Sequence, residues 1–256
     1  MRIACCAALM LGCSADRAAD GGSHDTAADS GTGIGLSGIV YQYGAGAEIG
    51  IEGTRICLDD DAAHCVTTNA DGCFALEGLE PEQEALVTLT KPGFVPILLT
   101  FVTPRWSSSL GILYLTALDD LRQLSETLKA MGRSDIDPNG SRLPLVSFTA
   151  VGGLTREVRV HLEPDPGSAP FYLLEPPEIA LDIPEGRLAV FGEYIDVPAR
   201  DDYELVYEPD QGTCRYYPSA LGGLPAPSGR SNAARVIVRE GFMTYVVLLS
   251  CSARTQ

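Results

Sequence analysis

Short runs in which apolar and polar residues alternate make up most of the chain from residue 36 onwards. Residues 36–43 (LSGIVYQY) form the first run, and residues 73–79 (CFALEGL) form a later one that places Phe74 and Leu76 on the same side. Successive side chains of a β-strand point to opposite faces, so a period of two predicts strands with one buried face. The 27 glycine and 17 proline residues separate these runs, which is typical of short strands and tight turns. The pattern therefore predicts an all-β fold.

Turn residues connect the strands of the first third of the chain. In residues 69–72 (NADG), Gly72 occupies the turn position that best tolerates a positive φ angle. The alternation continues at Ile56, Leu58, Val87, Leu89, Ile97, Leu99 and Phe101. Roughly six or seven short strands in this space predict a small β-sandwich for residues 36–104.

The same segment resembles a known family. The matching residues are Thr68, Asp71, Gly72, Phe74, Leu76, Gly78 and Leu79, followed by Gly93 and Phe94. They resemble the signature of the carboxypeptidase regulatory-like domain, a transthyretin-like β-sandwich with a carbohydrate-binding-like fold. Asn69 stands where that family usually has Asp, and Ala85 stands where it often has Tyr. The resemblance, which covers about a quarter of the chain, implies an accessory domain rather than the hydrolytic one.

One segment has the period of a helix instead. Its apolar stripe consists of Leu118, Leu121, Leu124, Leu128 and Met131, a spacing that predicts a helix at about residues 117–131. Thr116 and Asp119 resemble a capping box, and Gly132 is a suitable C-terminal stop. We expect the stripe to dock on a sheet within a connector spanning residues 105–140; a partner-binding helix is the alternative.

Beyond residue 140 the β pattern returns. Residues 188–205 repeat the order of a Phe-containing strand, a loop and a Tyr-containing strand, and predict a second, divergent sandwich for residues 141–256. The last apolar run, residues 242–250 (FMTYVVLLS), is too short for a membrane span and predicts a buried strand. The expected fold is therefore two β-sandwich domains, transthyretin-like or Ig-like, joined by a short helix.

The beginning of the chain indicates export. Residues 3–11 are a short apolar run after Arg2, and Gly12–Cys13 follow. This arrangement resembles a bacterial lipoprotein signal (residues 1–13), which implies a lipid on Cys13. Residues 14–35 are rich in Ala, Asp, Gly and Ser and predict a flexible tether. We expect a protein anchored in the cell envelope, at the outer membrane, facing the periplasm or the exterior; a cytosolic protein with a chance apolar start is the alternative.

The remaining cysteines fit an oxidising compartment, in which disulfides are the default. We expect Cys57 to pair with Cys65 and Cys214 to pair with Cys251, which leaves Cys73 unassigned. Cysteine spacing alone leaves other connectivities open.

Charge and residue types argue against several classes of function. The net charge of −16 repels phosphate backbones, so nucleic acid is not an expected partner. A zinc peptidase needs a cluster such as two His and one Glu, whereas the three histidines are dispersed as His24, His64 and His161 without a His-x-x-Glu motif. We therefore expect no catalytic residue, no cofactor and no enzyme activity.

Acidic and cysteine-rich segments could supply ligands for two kinds of metal site, and we expect neither. Oxygen ligands for Ca²⁺ would come from Asp59, Asp60, Asp61 and Asp71, but their spacing matches no calcium loop and a solvated acidic turn is favoured. A zinc site would use Cys57, His64, Cys65 and Cys73, and export with disulfide formation disfavours it.

Recognition is the remaining class of function. Sandwich domains can bind sugars by stacking aromatic rings on them, so Trp106, Tyr41 and Tyr43 are the binding candidates, with Tyr114 and Tyr216–Tyr217 as further aromatic residues. Burial of Trp106 at the domain junction is the favoured interpretation of that residue. The sequence indicates a non-catalytic, lipid-anchored structural or binding module whose partner is a glycan or an envelope protein. The alternative is a carbohydrate-binding accessory of a surface enzyme system.

Overall fold

The computed structural model describes residues 33–43, 49–58, 61–133, 145–151, 154–175, 178–210, 212–216 and 223–252. The predicted signal, which includes Cys13, and most of the predicted tether lie outside the described residues. In the first half the strands are β1 (Ile34–Gln42), β2 (Arg55–Leu58), β3 (Cys65–Thr67), β4 (Cys73–Leu79), β5 (Glu84–Thr90), β6 (Ile97–Val102) and β7 (Ser108–Leu115). One α-helix, α1 (Leu118–Ala130), follows, and a 3-10 turn at Ala62–His64 precedes β3.

The second half contains ten further strands. They are β8 (Leu145–Val151), β9 (Val158–Glu163), β10 (Phe171–Glu175), β11 (Glu178–Ala180), β12 (Leu188–Tyr194), β13 (Arg200–Pro209), β14 (Thr213–Tyr216), β15 (Leu224–Pro225), β16 (Ala233–Val238) and β17 (Met243–Ser252). The described chain is thus mostly β-structure, as the alternating pattern predicts. Its one helix is too short and too polar to cross a bilayer.

The strands form three sheets. A three-stranded sheet has the order β4-β1-β7, and a four-stranded sheet has the order β15-β16-β13-β9. Between them lies a ten-stranded sheet with the order β11-β10-β12-β8-β17-β6-β5-β2-β3, to which β14 is added through β17. This central sheet takes strands from both halves of the chain, so the two halves share one hydrogen-bonded sheet. The sequence pattern did not indicate this continuity.

The join between the halves is a parallel pairing of β6 with β17. Met243 lies opposite Ile97, and Tyr245 lies opposite Leu99. On its other side β17 pairs with β8, also in parallel. The predicted C-terminal buried strand is therefore a central strand of the sheet, which explains its nearly continuous apolar composition.

Two large apolar cores flank this central sheet. The first lies between β1, β4 and β7 on one side and β2, β5 and β6 on the other, and it includes Phe74, Leu76, Leu99 and Phe101. The second lies between the four-stranded sheet and the C-terminal part of the central sheet. A smaller cluster joins Leu98 of β6 to Leu224 of β15 and Ile237 of β16. Strand β6 is consequently buried on both faces.

The turn before β4 forms as its sequence predicts. The Asn69 side-chain oxygen accepts hydrogen bonds from the backbone N–H groups of Asp71 (3.0 Å) and Cys73 (2.9 Å). Gly72 has φ +79°, and an added Cβ would lie 2.4 Å from the Val40 carbonyl oxygen. Only glycine fits this position without strain. Phe74 and Leu76 then point inward, with 5% and 3% of their surfaces exposed.

Helix α1 docks as expected but begins differently. Leu121 and Leu128 are buried in the first core, and Leu118 and Leu124 pack against it. The expected capping box of Thr116 and Asp119 is wrong, because the N-cap residue is Ala117 and no side chain caps the helix. The Leu118 N–H instead donates to the Gly93 carbonyl (2.9 Å). Gly132, with φ +79°, ends the helix as predicted.

Candidate binding cleft

A cleft of ≈ 270 Å³ opens between α1 and the central sheet. Both halves of the chain line it. Its walls consist of Tyr43, Val95 and Thr116 from the first half, Asp120, Leu121, Gln123, Leu124 and Thr127 from α1, and Phe171, Leu173, Ile179, Glu193 and Met243 from the second half. The buried apolar residues of its walls, which include Leu121, Phe171 and Met243, belong to the first core. An apolar concavity with a few polar groups has the general character of a small-ligand site.

The floor of the cleft belongs to a row of residues that crosses the central sheet. Phe171 lies opposite Glu193, Glu193 lies opposite Ser147, Ser147 lies opposite Tyr245, and Tyr245 lies opposite Leu99. Directly opposed residues of neighbouring strands point to the same face of the sheet. The row therefore presents one carboxyl group and one hydroxyl group among aromatic and aliphatic side chains.

Glu193 is the principal charged group of this row. The residue as a whole is half-buried, but its carboxyl group is desolvated, and this burial raises the pKa of Glu193 to about 7. A hydrogen bond with Ser147 opposes the shift and lowers the pKa of Glu193 by a smaller amount. Desolvation dominates because the charged form loses more hydration than one hydroxyl group replaces.

Aromatic rings form a chain from the three-stranded sheet to this floor. The centroids of Tyr41 and Tyr114 are 6.5 Å apart, those of Tyr114 and Tyr43 are 6.2 Å apart, and those of Tyr43 and Phe191 are 6.3 Å apart. Phe191 in turn lies 6.1 Å from Tyr245. The rings are tilted or edge-to-face, which is a favourable packing geometry but provides no flat platform. Burial, followed by the charge of Glu193, raises the pKa of Tyr43.

The structure brings only some of the predicted binding residues together. Tyr41 and Tyr43 lie in the aromatic chain, and Tyr43 also lines the cleft. The favoured burial of Trp106 at the junction is wrong, because 71% of its surface is exposed in the segment between β6 and β7. This segment is the edge of the fold at which β7 begins, whereas the tyrosines lie where β1 and β7 end, so the indole and the phenols are separate features.

One predicted disulfide is present. Cys57 and Cys65 are directly opposed on β2 and β3, and their sulfur atoms are bonded at 2.04 Å. Neither sulfur is then available as a thiolate, which excludes a zinc site formed by Cys57, His64, Cys65 and Cys73. Cys214 is disulfide-bonded and lies opposite Cys251 in the pairing of β14 with β17, so the register suits the predicted pairing. Cys73 is also disulfide-bonded.

The other candidates for chemistry have local structural partners. The Asp61 carboxylate accepts from the Ala63 N–H (2.9 Å) and contacts His64 Nδ1 (2.9 Å), so it caps the 3-10 turn; Asp59 and Asp60 lie outside the described residues. His161 Nε2 is 3.1 Å from Glu163, which is bound by Arg230. The Arg230 guanidinium, and then His161, lower the pKa of Glu163 to about 2. No group of His, Cys, Asp and Glu in the described part of the chain is arranged to hold a metal ion.

Sequence reasoning did not identify Glu193. In residues 188–194 (LAVFGEY) it is simply a polar position of an alternating strand. Its environment depends on α1 and on the end of β1, which are distant in the sequence. The sequence does contain a hint, because this acidic residue lies within two positions of Phe191 and Tyr194 in a strand predicted to be half-buried.

Comparisons with known proteins do not assign a family. No family model matches the sequence, and no curated protein does. Among solved structures, the chain is similar to the TIE protein of Bacillus anthracis, with 7% identity over 86% of this chain and a TM-score of 0.28; it spans about a third (34%) of that protein's length. It is also similar to the shaft pilin SpaA of Lactobacillus rhamnosus GG, with 11% identity, 88% of this chain and 100% of that chain covered and a TM-score of 0.24. The minor pilin of Streptococcus agalactiae matches with 9% identity, 87% and 98% coverage and a TM-score of 0.20.

Proposed function

We propose that this protein is a non-catalytic binding module and that the cleft between α1 and the central sheet is its recognition site. The observation that carries the proposal is the cleft itself: an apolar concavity shared by both halves of the chain, with Glu193 at its floor. Its polar groups are few. They are the hydroxyls of Tyr43, Thr116 and Thr127, the amide of Gln123 and the carboxyls of Asp120 and Glu193, an inventory suited to orienting a small ligand.

A blocking substitution tests the site. Leu124 lines the cleft from α1 and is only half-buried, so Leu124→Trp should fill the cleft without requiring a void in the core. Thermal-shift screening of a small-molecule library against the wild type should give compounds that raise Tm, since binding to the native state stabilises it. The same compounds should give no shift with Leu124→Trp. Shifts that persist in this variant would assign binding to another surface.

A matched control separates blocking from general damage. Glu126→Trp also lies on α1, but Glu126 is exposed and is not part of the cleft lining, so the new ring has room to turn towards solvent. We expect this variant to retain part of the ligand response. Equal loss in both variants would indicate that disturbance of the helix, rather than filling of the cleft, removes binding.

We further propose that the module is anchored in the cell envelope through a lipid on Cys13. The support is the sequence of residues 1–35, in which a short apolar run, Gly12–Cys13 and a polar tether follow one another. The disulfide between Cys57 and Cys65 is in keeping with an oxidising compartment. Metabolic palmitate labelling should mark the wild type and be lost in Cys13→Ser; label that persists in Cys13→Ser would refute the anchor.

The alternative function, glycan binding in a surface enzyme system, has one observation in its favour. Trp106 is the single tryptophan and is 71% exposed, as a sugar-stacking residue would be. Against it, the rings of Tyr41 and Tyr114 are inclined at 51°, so they form no coplanar surface. A glycan array with the wild type and Trp106→Ala decides: binding that Trp106→Ala abolishes would establish this function in place of the cleft.

The detailed fold assignment also belongs to this proposal. We propose that the strands around the first core form a transthyretin-like sandwich and that those around the second core form a divergent, Ig-like one. The separation of the two largest core clusters supports this division.

A further inference from the structure

The ionisable groups that line the cleft are all acidic or phenolic. They are Glu193 on β12, Asp120 on α1 and Tyr43 after β1. No Lys, Arg or His belongs to the described lining of the cleft, and the whole chain carries a net charge of −16. The field inside the cleft is therefore negative, which attracts cations and repels anionic ligands.

The carboxyl group on the floor of the cleft has few described hydrogen-bond partners in the protein. Glu193 shares its row with Phe171 and Tyr245, and its only described hydrogen-bonding neighbour is the Ser147 hydroxyl. A carboxylate can accept about four hydrogen bonds, so the described protein groups supply only part of this capacity. A cationic donor placed beside the carboxylate would supply both charge and hydrogen bonds.

From this combination of shape and charge we propose that the cleft binds a small ligand with an apolar body and a single primary ammonium group, with Glu193 as the partner of the ammonium. The inference rests on the proposed function of the cleft and adds the chemical class of its ligand. The apolar body packs against Leu121, Leu124 and Phe171, while the ring of Tyr43 adds an electron-rich surface beside the charge.

The size of the cleft limits the ligand. A volume of ≈ 270 Å³ is at the lower end of the range for small-molecule sites, which favours a ligand with a single ring. The probe 2-phenylethylamine has nine non-hydrogen atoms and one ammonium group. Two probes of similar size differ mainly in charge. 2-phenylethanol is neutral and also has nine non-hydrogen atoms, and phenylacetate, with one oxygen more, is an anion.

Titration calorimetry at pH 8 with the full chain tests the inference. We expect 2-phenylethylamine to bind at least tenfold more tightly than 2-phenylethanol and phenylacetate not to bind. Glu193→Gln should weaken amine binding at least tenfold and leave alcohol binding unchanged. The control Glu77→Gln, which alters an exposed carboxylate of β4, should leave all affinities unchanged.

The pH dependence gives a second readout. Glu193 ionises near its raised pKa of about 7, so amine binding should weaken at least tenfold from pH 8 to pH 5, and Glu193→Gln should remove this dependence. Glu193 interacts electrostatically with Tyr43 and Tyr245, and Tyr114 acts on both of these phenols. Asp120 lines the same cleft. Burial raises the pKa values of Tyr43 and Tyr245, so these phenols stay neutral over that range. Asp120 is then the other carboxyl group of the cleft that could affect amine binding. The variant Asp120→Asn measures its contribution to the affinity separately from that of Glu193.

The possible failures are distinguishable. Equal binding of amine and alcohol, lost in Leu124→Trp, would overturn the ligand class and leave the proposed function of the cleft intact. Loss of amine binding in Asp120→Asn but not in Glu193→Gln would overturn the role of Glu193. Absence of amine binding at pH 8 would overturn the inference, while the library screen decides separately whether the cleft binds other compounds.

Discussion

Met243 of β17 lies directly opposite Ile97 of β6 in parallel register, and this pairing joins the two halves of the chain in one sheet. The next pair is Thr244 with Leu98. Because side chains alternate between faces, Met243 and Ile97 point to the first core, while Leu98 points to the opposite face and meets Ile237 of the four-stranded sheet. Residues 141–256 thus complete the burial of a strand from the first half.

The first prediction concerns coupling between the halves. Leu98→Ala and Ile237→Ala should each lower the free energy of unfolding by about 2–5 kcal/mol, since each removes buried methyl groups. Because the two side chains share one apolar cluster, the double variant should deviate from additivity by about 0.5–3 kcal/mol. Chemical denaturation of the four proteins measures this term.

A second cycle is the control for the first. Ile183 is buried in the second core, which is a different cluster from that of Leu98. Ile183→Ala combined with Leu98→Ala should be additive within about 0.3–0.5 kcal/mol. Additivity in both cycles would show that the halves are energetically independent.

Local features of this fold were predictable because their causes are local. The turn before β4 depends on Asn69 and Gly72, and the inward orientation of Phe74 and Leu76 depends only on the alternation that follows. The end of α1 at Gly132 likewise follows from a residue that adopts a positive φ angle at little cost.

Relations between distant segments were not predictable from the sequence. The pairing of β6 with β17 joins two strands that are far apart in the chain. Nothing in the sequence of residues 97–102 specifies a parallel partner or its register. The prediction that Trp106 is buried was wrong. A bulky aromatic residue is usually buried, whereas a loop before β7 leaves this ring in solvent. The cleft was not predictable because α1 and Glu193 are far apart in the sequence and come together only in the tertiary structure.

The second prediction isolates the crowding at Gly72. Gly72 and Gly78 both have φ +79°, but only at Gly72 would a Cβ meet backbone, at 2.4 Å from the Val40 oxygen. Gly78→Ala should cost about 1 kcal/mol for the left-handed backbone alone. Gly72→Ala should cost about 1–3 kcal/mol more, because β1 must also move to make room for the methyl group. Equal values from urea denaturation would show that the predicted clash is relieved.

The third prediction concerns the disulfide between Cys57 and Cys65. These residues are 8 positions apart, and closing a loop of this length should stabilise the fold by about 2–3 kcal/mol. Reductant should lower the free energy of unfolding of both the wild type and the Cys57→Ala/Cys65→Ala variant. The loss should be larger in the wild type, by the contribution of this disulfide. The variant is needed as a control because Cys73 and Cys214 are also disulfide-bonded. An equal effect of reductant on both proteins would assign all of the stabilisation to the other bridges.

The fourth prediction concerns acid stability. Arg230, and then His161, hold the pKa of Glu163 at about 2, below its ordinary 4.5. A depressed carboxyl pKa stabilises the folded protein above pH 4.5, and this contribution disappears as the pH falls towards 2. Arg230→Gln should raise the pKa of Glu163, which an NMR titration of the carboxyl group can follow. In this variant the free energy of unfolding should depend less on pH between 4.5 and 2. An unchanged pKa would mean that Arg230 is not the main partner; the effect on stability should be small because Glu163 is 42% exposed.

The last prediction concerns Glu193, whose pKa shift has the opposite sign. Its pKa is about 7 in the folded protein and 4.5 as the ordinary value, so between these pH values the folded state holds a proton that the unfolded state has lost. The free energy of unfolding should therefore decrease as the pH rises from 4.5 to 7. Glu193→Gln, which has no charge to desolvate, should be more stable than the wild type by about 1–3 kcal/mol at pH 8 and equal to it near pH 4. Denaturation curves at a series of pH values measure the difference. A gap between the two proteins that does not change with pH would mean that the Glu193 carboxylate is adequately solvated in the cleft.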